Sequence, residues 1–180
     1  DADRMIIGNG SPKAWGAFIN SFRYKDLELI IELQYSYGND VMNIRLGTGE
    51  DRQALANSFK SVLNAWTPQN QNTPIAEIRD TRAGYVQNKD THWIENGSFV
   101  RGKNLLLSYA FPSYITQRLK INRLRIYTSV QNFFLVTKYS GDPEIQSPFG
   151  SDASNIFSQG TDFYGYPKPT TFMLGLNIGL

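Results

Sequence analysis

The chain has 180 residues, with an aromatic share of 13%, a charged share of 19% and a formal net charge of +2. That charge is too small to argue for a nucleic-acid partner, and the absence of cysteine excludes disulfides, thiol chemistry and zinc sites built on Cys. No stretch approaches eighteen consecutive apolar residues, which excludes a transmembrane helix but leaves membrane-crossing strands open, because these show only as alternating segments of about ten residues.

The chain lacks an initiator Met and a signal peptide and is expected to be cut from something longer. Ala14 to Tyr24 is rich in β-formers. Apolar residues fall on both parities, Trp15, Ala17 and Ile19 against Phe18, Phe22 and Tyr24, so its faces stay unassigned. Lys25-Asp26 makes a tight turn. Leu27 to Tyr37 then alternates well, with Leu27, Leu29, Ile31, Leu33, Tyr35 and Tyr37 opposed to Glu28, Ile30, Glu32, Gln34 and Ser36. Such a split suits a lipid face and a lumen face.

Gly38 to Gly97 breaks the alternation. Within it Leu55, Phe59, Val62, Leu63 and Trp66 form a helical stripe, predicting a helix over Glu50 to Trp66 with a Thr48/Asp51 capping box and a stop at Thr67-Pro68. The remainder is polar loop, and a connection this long is usually functional or disordered. Phe99 to Phe111 returns to strand. Arg101 and Lys103 share parity with Leu105 and Leu107, so a bulge is expected near Lys103-Asn104. Pro112 to Asn122 is a compact basic turn with room for one helical turn. Leu124 to Lys138 is the next strand, Leu124, Ile126 and Val130 opposing Arg125, Ser129 and Gln131. Tyr139 to Lys168 is a second long loop, acidic through Asp142, Glu144, Asp152 and Asp162. Thr170 to Leu180 closes the chain as a strand, with Phe172, Leu174, Leu176, Ile178 and Leu180 on one parity and Thr171, Met173, Gly175, Asn177 and Gly179 on the other. Its length matches the 9–11 residues that a tilted strand needs to cross hydrocarbon, and nothing guards it against edge pairing. The connections alternate short, long, short, long. Outer-membrane barrels have short periplasmic turns and long extracellular loops, so both long loops are expected outside.

The segments VLNAWTPQNQNT, WIENGSFVRGKNLLLSYAFP, LRIYTSVQNFFLVTKYSGDPE and YPKPTTFMLGLNIGL, with SYGND at Ser36–Asp40 and GNGSPKAWGAF near the start, resemble the C-terminal end of SusC/RagA-like TonB-dependent transporters of Bacteroidetes outer membranes. Two departures are visible: Gly102 stands where that family usually has a larger apolar residue, and Leu180 where outer-membrane proteins favour an aromatic. The resemblance implies an all-β fold in which residues 1–180 supply about five C-terminal strands of a plugged antiparallel barrel of roughly 22 strands. The plug and most of the barrel strands would lie outside this sequence. It further implies a SusD-like surface lipoprotein as partner, coupling to a TonB complex through a segment not in this chain, and uptake of oligosaccharides or peptides. No catalysis and no cofactor are expected.

Bland readings compete at each candidate site. Glu28 and Glu32 lie four apart on a strand, roughly 13 Å, too far for a glycosidase pair, which needs about 5–9.5 Å. Asp142 and Glu144 flank Pro143 in a turn-forming GDPE. His92 is the single histidine and reads as structural. Asn96-Gly97-Ser98 matches a glycosylation sequon, but an Asn-Gly turn into a strand explains it better. The loop aromatics Trp66, Trp93, Phe157, Phe163, Tyr164 and Tyr166 are candidates to stack on sugar or contact a partner, against packing within the loops or in the interfacial girdle. Arg125, Gln131 and Asn177 are expected to line the lumen, where plug contact competes with substrate contact. A soluble carbohydrate-binding sandwich and a passive porin remain alternatives, because a sandwich also buries one strand face.

Overall fold

The computed structural model describes residues 5–50, 57–78, 91–144 and 160–180. Its strands are β1 (Ala14–Tyr24), β2 (Leu27–Tyr37), β3 (Asp40–Asn43), β4 (Ile94–Asn96), β5 (Phe99–Ala110), β6 (Arg123–Thr137), β7 (Thr161–Asp162) and β8 (Thr171–Gly179), with short helices α1 (Ile44–Gly49) and α2 (Ser113–Arg118). These elements form two compact units.

The first is an antiparallel sheet in the order β1-β2-β5-β6-β8, an up-and-down meander in which each long strand pairs with its neighbours along the chain. The five long strands fall where alternation places them. β1 and β2 join through Lys25-Asp26, with Lys25 in the left-handed region (φ 54). β5 and β6 join through α2 and a turn closed by Lys120 (φ 55), so the single helical turn expected there is present. The two short connections meet at one end, where the Ala110 amide donates to the Asp26 carbonyl at 2.9 Å. No helix among the described residues is long and apolar enough to cross a membrane.

Register settles the faces of β1. Phe22 stands opposite Leu29, Phe18 opposite Leu33 and Tyr24 opposite Leu27, and paired residues project to the same side of a sheet. Trp15 and Ile19 therefore point the other way, beside Ser36 and Glu32. The apolar face continues through Leu105 and Leu107 of β5, Ile126 and Val130 of β6, and Phe172, Leu174 and Leu176 of β8.

The bulge falls where expected. Glu32 pairs with Asn104 and Leu33 with Gly102, leaving Lys103 as the extra residue. A second irregularity faces it on β6: Gln131 pairs with Asn104 and Phe134 with Gly102, so Asn132 (φ 51) and Phe133 are both inserted. One extra residue on β5 flips parity, moving Arg101 from the face of Leu105 to the polar face beside Gln34. The glycine at 102 follows from this geometry, since an added Cβ would lie 2.6 Å from the Phe133 ring and 2.7 Å from that of Phe134. Gly102→Leu is expected to cost about 1–3 kcal/mol by overpacking, read as a lower temperature for loss of the compact form on semi-native gels. An unchanged transition would show that the two rings yield freely.

The second unit holds a small sheet in the order β4-β3-β7, with β3 antiparallel to β4 and parallel to β7. Its buried side chains mix apolar Val41, Ala65, Ile75 and Tyr139 with polar Asn43, Asp142 and Asp162. The helix expected over Glu50–Trp66 is corrected. Its described part holds only the 3-10 turn Lys60–Asn64, and the α-helical turn comes earlier, at α1. Phe59 and Ala65, at either side of the 3-10 turn, are extended (ψ 152 and 155), and the Trp66 amide bonds the Ile75 carbonyl instead of continuing a helix. Leu55, Asp51 and the Thr48 side chain lie outside the described residues.

Candidate functional site

The polar face of the large sheet carries two cross-strand rows. The first is built on Arg125. Its Nη2 donates to Glu28 Oε2 (2.7 Å) and to Ser108 Oγ (2.7 Å), and the Ser108 hydroxyl lies 3.3 Å from the same Glu28 oxygen. One guanidinium thus ties β2, β5 and β6 together, with Asn177 of β8 as the register partner of Arg125. Ser108 is buried, while Arg125 and Glu28 are each about a third exposed, so the pair is only partly screened by water. The second row runs Glu32, Asn104, Gln131 and Thr171 across four strands. The lumen candidates Arg125, Gln131 and Asn177 accordingly share one face, apart from Leu174 and Leu176.

A double-mutant cycle of Arg125→Gln and Glu28→Gln in the whole protein is expected to show a coupling of about 0.5–3 kcal/mol. The readout is the thermal transition of the compact form on gels. Strictly additive losses would mean that the ion pair carries no net stabilisation.

In the second unit a polar cluster lies among the buried apolar side chains. Glu95 of β4 accepts from Asn43 Nδ2 (2.7 Å), the Ser140 hydroxyl (2.9 Å) and the Ser140 amide (2.8 Å). Tyr139 donates to Asp162 Oδ2 at 2.5 Å, and Asp162 Oδ1 accepts from the Gly165 amide at 3.1 Å. Burial and then the Asp162 hydrogen bond push the Tyr139 phenol far above the usual tyrosine range, so it remains a neutral donor. These bonds fix the beginning and end of the second long loop against β3 and β4.

The loop aromatics do not form one cluster in the described residues. Phe163 and Tyr164 pack edge to face (centroids 5.1 Å apart), and Tyr166 is 92% exposed. The Trp93 ring lies against Gly47 of α1, where an added Cβ would come within 2.8 Å, and Trp66 is partly exposed. Phe157 lies outside the described residues. His92 bonds Glu50 at 2.7 Å, with Ser61 donating to the other Glu50 oxygen, a structural role. The Glu144 amide bonds the Asp142 side chain at 3.1 Å, as a GDPE turn requires. Gly97 is explained differently from an Asn-Gly turn. It has no positive φ, and a Cβ there would meet the Asn39 and Val41 side chains. Sequence reasoning missed Ser108 and Glu28 as the partners of Arg125. Parity set Glu28 and Arg125 opposite the apolar residues of their strands, but Ser108 was not singled out, and nothing local revealed the register that joins the three.

An open antiparallel sheet, apolar on one face and hydrogen-bonded polar on the other, with alternating short and long connections, defines part of a membrane β-barrel wall. No protein-family profile matches the chain. It is 33% identical to TonB-dependent receptor P3 of Formosa agariphila and 29% identical to TonB-dependent receptor SusC of Bacteroides thetaiotaomicron. Each match takes in 98% of this chain but only 17% and 16% of the relative. Among solved structures it resembles the RagAB peptide importer in its closed-closed state (TM-score 0.76, 28% identity, 97% of this chain, 18% of the other) and open-open state (TM-score 0.75, 28% identity, 94% and 17%). The chain is homologous over nearly its whole length to a segment of TonB-dependent receptors of the SusC/RagA type. The names these relatives carry are those of receptors and importers, not of enzymes.

Proposed function

We propose that residues 1–180 are the C-terminal wall segment of an outer-membrane, TonB-dependent importer of oligosaccharides or peptides. The observation that carries this is the two-faced sheet. Among the described residues its apolar face is widely exposed, Leu174 being 79% exposed, while on the opposite face Arg125, Glu28 and Ser108 hydrogen-bond across three strands. A soluble sandwich would bury that apolar face against a second sheet, so the exposure favours a lipid-facing wall. The other strands and the plug complete the barrel, and Gln131 and Asn177 face its lumen. A SusD-like lipoprotein meets the long loops at the cell surface, where Phe163, Tyr164, Tyr166 and Trp66 are candidate contacts. Coupling to TonB runs through a segment outside this chain. A passive porin would need no such coupling, and the similarity to TonB-dependent receptors favours the driven importer.

In this reading the loops at Gly38–Gly97 and Tyr139–Lys168 face outside and Pro112–Asn122 faces the periplasm. The chain has no native cysteine, so single Cys probes in the full-length protein test it. Asn72→Cys is expected to react with an impermeant maleimide on intact cells, and Gln117→Cys only after the outer membrane is opened. The reverse pattern would invert the topology and sink the proposal.

A further inference from the structure

The short-turn end of the sheet carries a concentration of cations that the importer reading does not use. Lys25, Arg118 and Lys120 are all exposed there, against the single turn carboxylate Asp26. The two turns are joined at this end by the hydrogen bond from the Ala110 amide to the Asp26 carbonyl. Lys120 takes a left-handed conformation (φ 55), and Lys25 Nζ sits 5.5 Å from the centroid of the Tyr24 ring, at the border of the apolar face. Tyr24, Tyr114 and Leu119 are more than half exposed beside these cations. Aromatic rings and a leucine next to exposed cations, bordering an uncovered apolar face, match a boundary between acyl chain and headgroup.

Resting on the wall reading above, we propose that Lys25, Arg118 and Lys120 form a docking site for the phosphate of an anionic phospholipid in the periplasmic leaflet. Charge complementarity selects an anion, and continuity with the apolar face selects one that carries acyl chains. The cation–π contact holds the Lys25 ammonium at the rim, where it meets a headgroup without leaving the ring. Each basic residue near an anionic surface contributes on the order of fivefold in affinity. The three together therefore separate anionic from zwitterionic lipid by roughly a hundredfold at most.

The test uses the full-length protein in neutral detergent, titrated with phosphatidylglycerol and separately with phosphatidylcholine, and bound lipid is read by native mass spectrometry. The wild type is expected to prefer phosphatidylglycerol. The triple variant Lys25→Gln/Arg118→Gln/Lys120→Gln is expected to lose that preference while keeping its heat-modifiable gel mobility. A variant that retains the preference with its barrel intact overturns the lipid site and leaves the importer reading standing. A wild type without preference that instead binds a poly-glutamate peptide through these residues assigns the cluster to an acidic protein surface, which also overturns it. A wild type that shows no heat-modifiable barrel overturns the importer reading, and the lipid site falls with it.

Discussion

Leu174→Arg in the complete protein is expected to destabilise the folded barrel by about 2–4 kcal/mol, the cost of a cation on the lipid face near the bilayer midplane. Leu174 stands in the middle of β8, opposite Thr128, and shares its face with Phe172 and Leu176. An arginine there must reach the interface along the strand or drag water into hydrocarbon. Asn177→Arg is expected to be far milder. Asn177 faces Arg125 on the polar side, so the new charge meets water and costs only the repulsion of a like charge opposite, about 0.2–1 kcal/mol. Heat-modifiable mobility and yield in the outer membrane measure both. Equal losses would refute the assignment of faces.

Residues 1–180 expressed alone are expected to aggregate in detergent and to give no SDS-resistant monomer. Among the described residues β1 and β8 each pair with a single strand, so the sheet has two open edges there. Along the nine residues of β8 about every second backbone N–H and C=O points away from β6 without a ladder partner. In hydrocarbon each such group costs several kcal/mol, and a handful exceed the 5–15 kcal/mol by which folded domains are stable. Large apolar side chains stay exposed on both edge strands, among them Phe18 and Phe22 of β1 and Phe172 and Leu174 of β8. A monodisperse monomer that conducts ions across a planar bilayer would show that this sheet closes on its own.

Both results depend on β8, and β8 was legible from the sequence because its pattern is local. A period of two between Phe172 and Leu180 needs no knowledge of any partner strand. The same holds for the Lys25-Asp26 turn, for the compact basic turn after β5, and for the bulge at Lys103, where a charged pair breaks the parity of Leu105 and Leu107. The stripe from Leu55 to Trp66 misled. Helical spacing of apolar residues is a preference that tertiary contacts override, and the Trp66 amide bonds Ile75 instead.

The sequence by itself determined the five long strands, their order along the chain and the alternation of most of them, since each follows from side-chain period and turn chemistry. By contrast, β3, β4 and β7 lie in stretches that read as loop, because two to four residues are too few to show a period. Only the tertiary structure decided which way β1 faces, because both of its parities are apolar and register with Leu27, Leu29 and Leu33 alone breaks the tie. It also decided that Arg101 belongs to the polar face, through an inserted residue whose effect depends on both neighbouring strands. The Arg125–Glu28–Ser108 tie and the Glu95 and Asp162 clusters were invisible for the same reason. Their members lie far apart in sequence, and a hydrogen bond between them exists only once strand register and loop closure have fixed their separation to within a few tenths of an ångström.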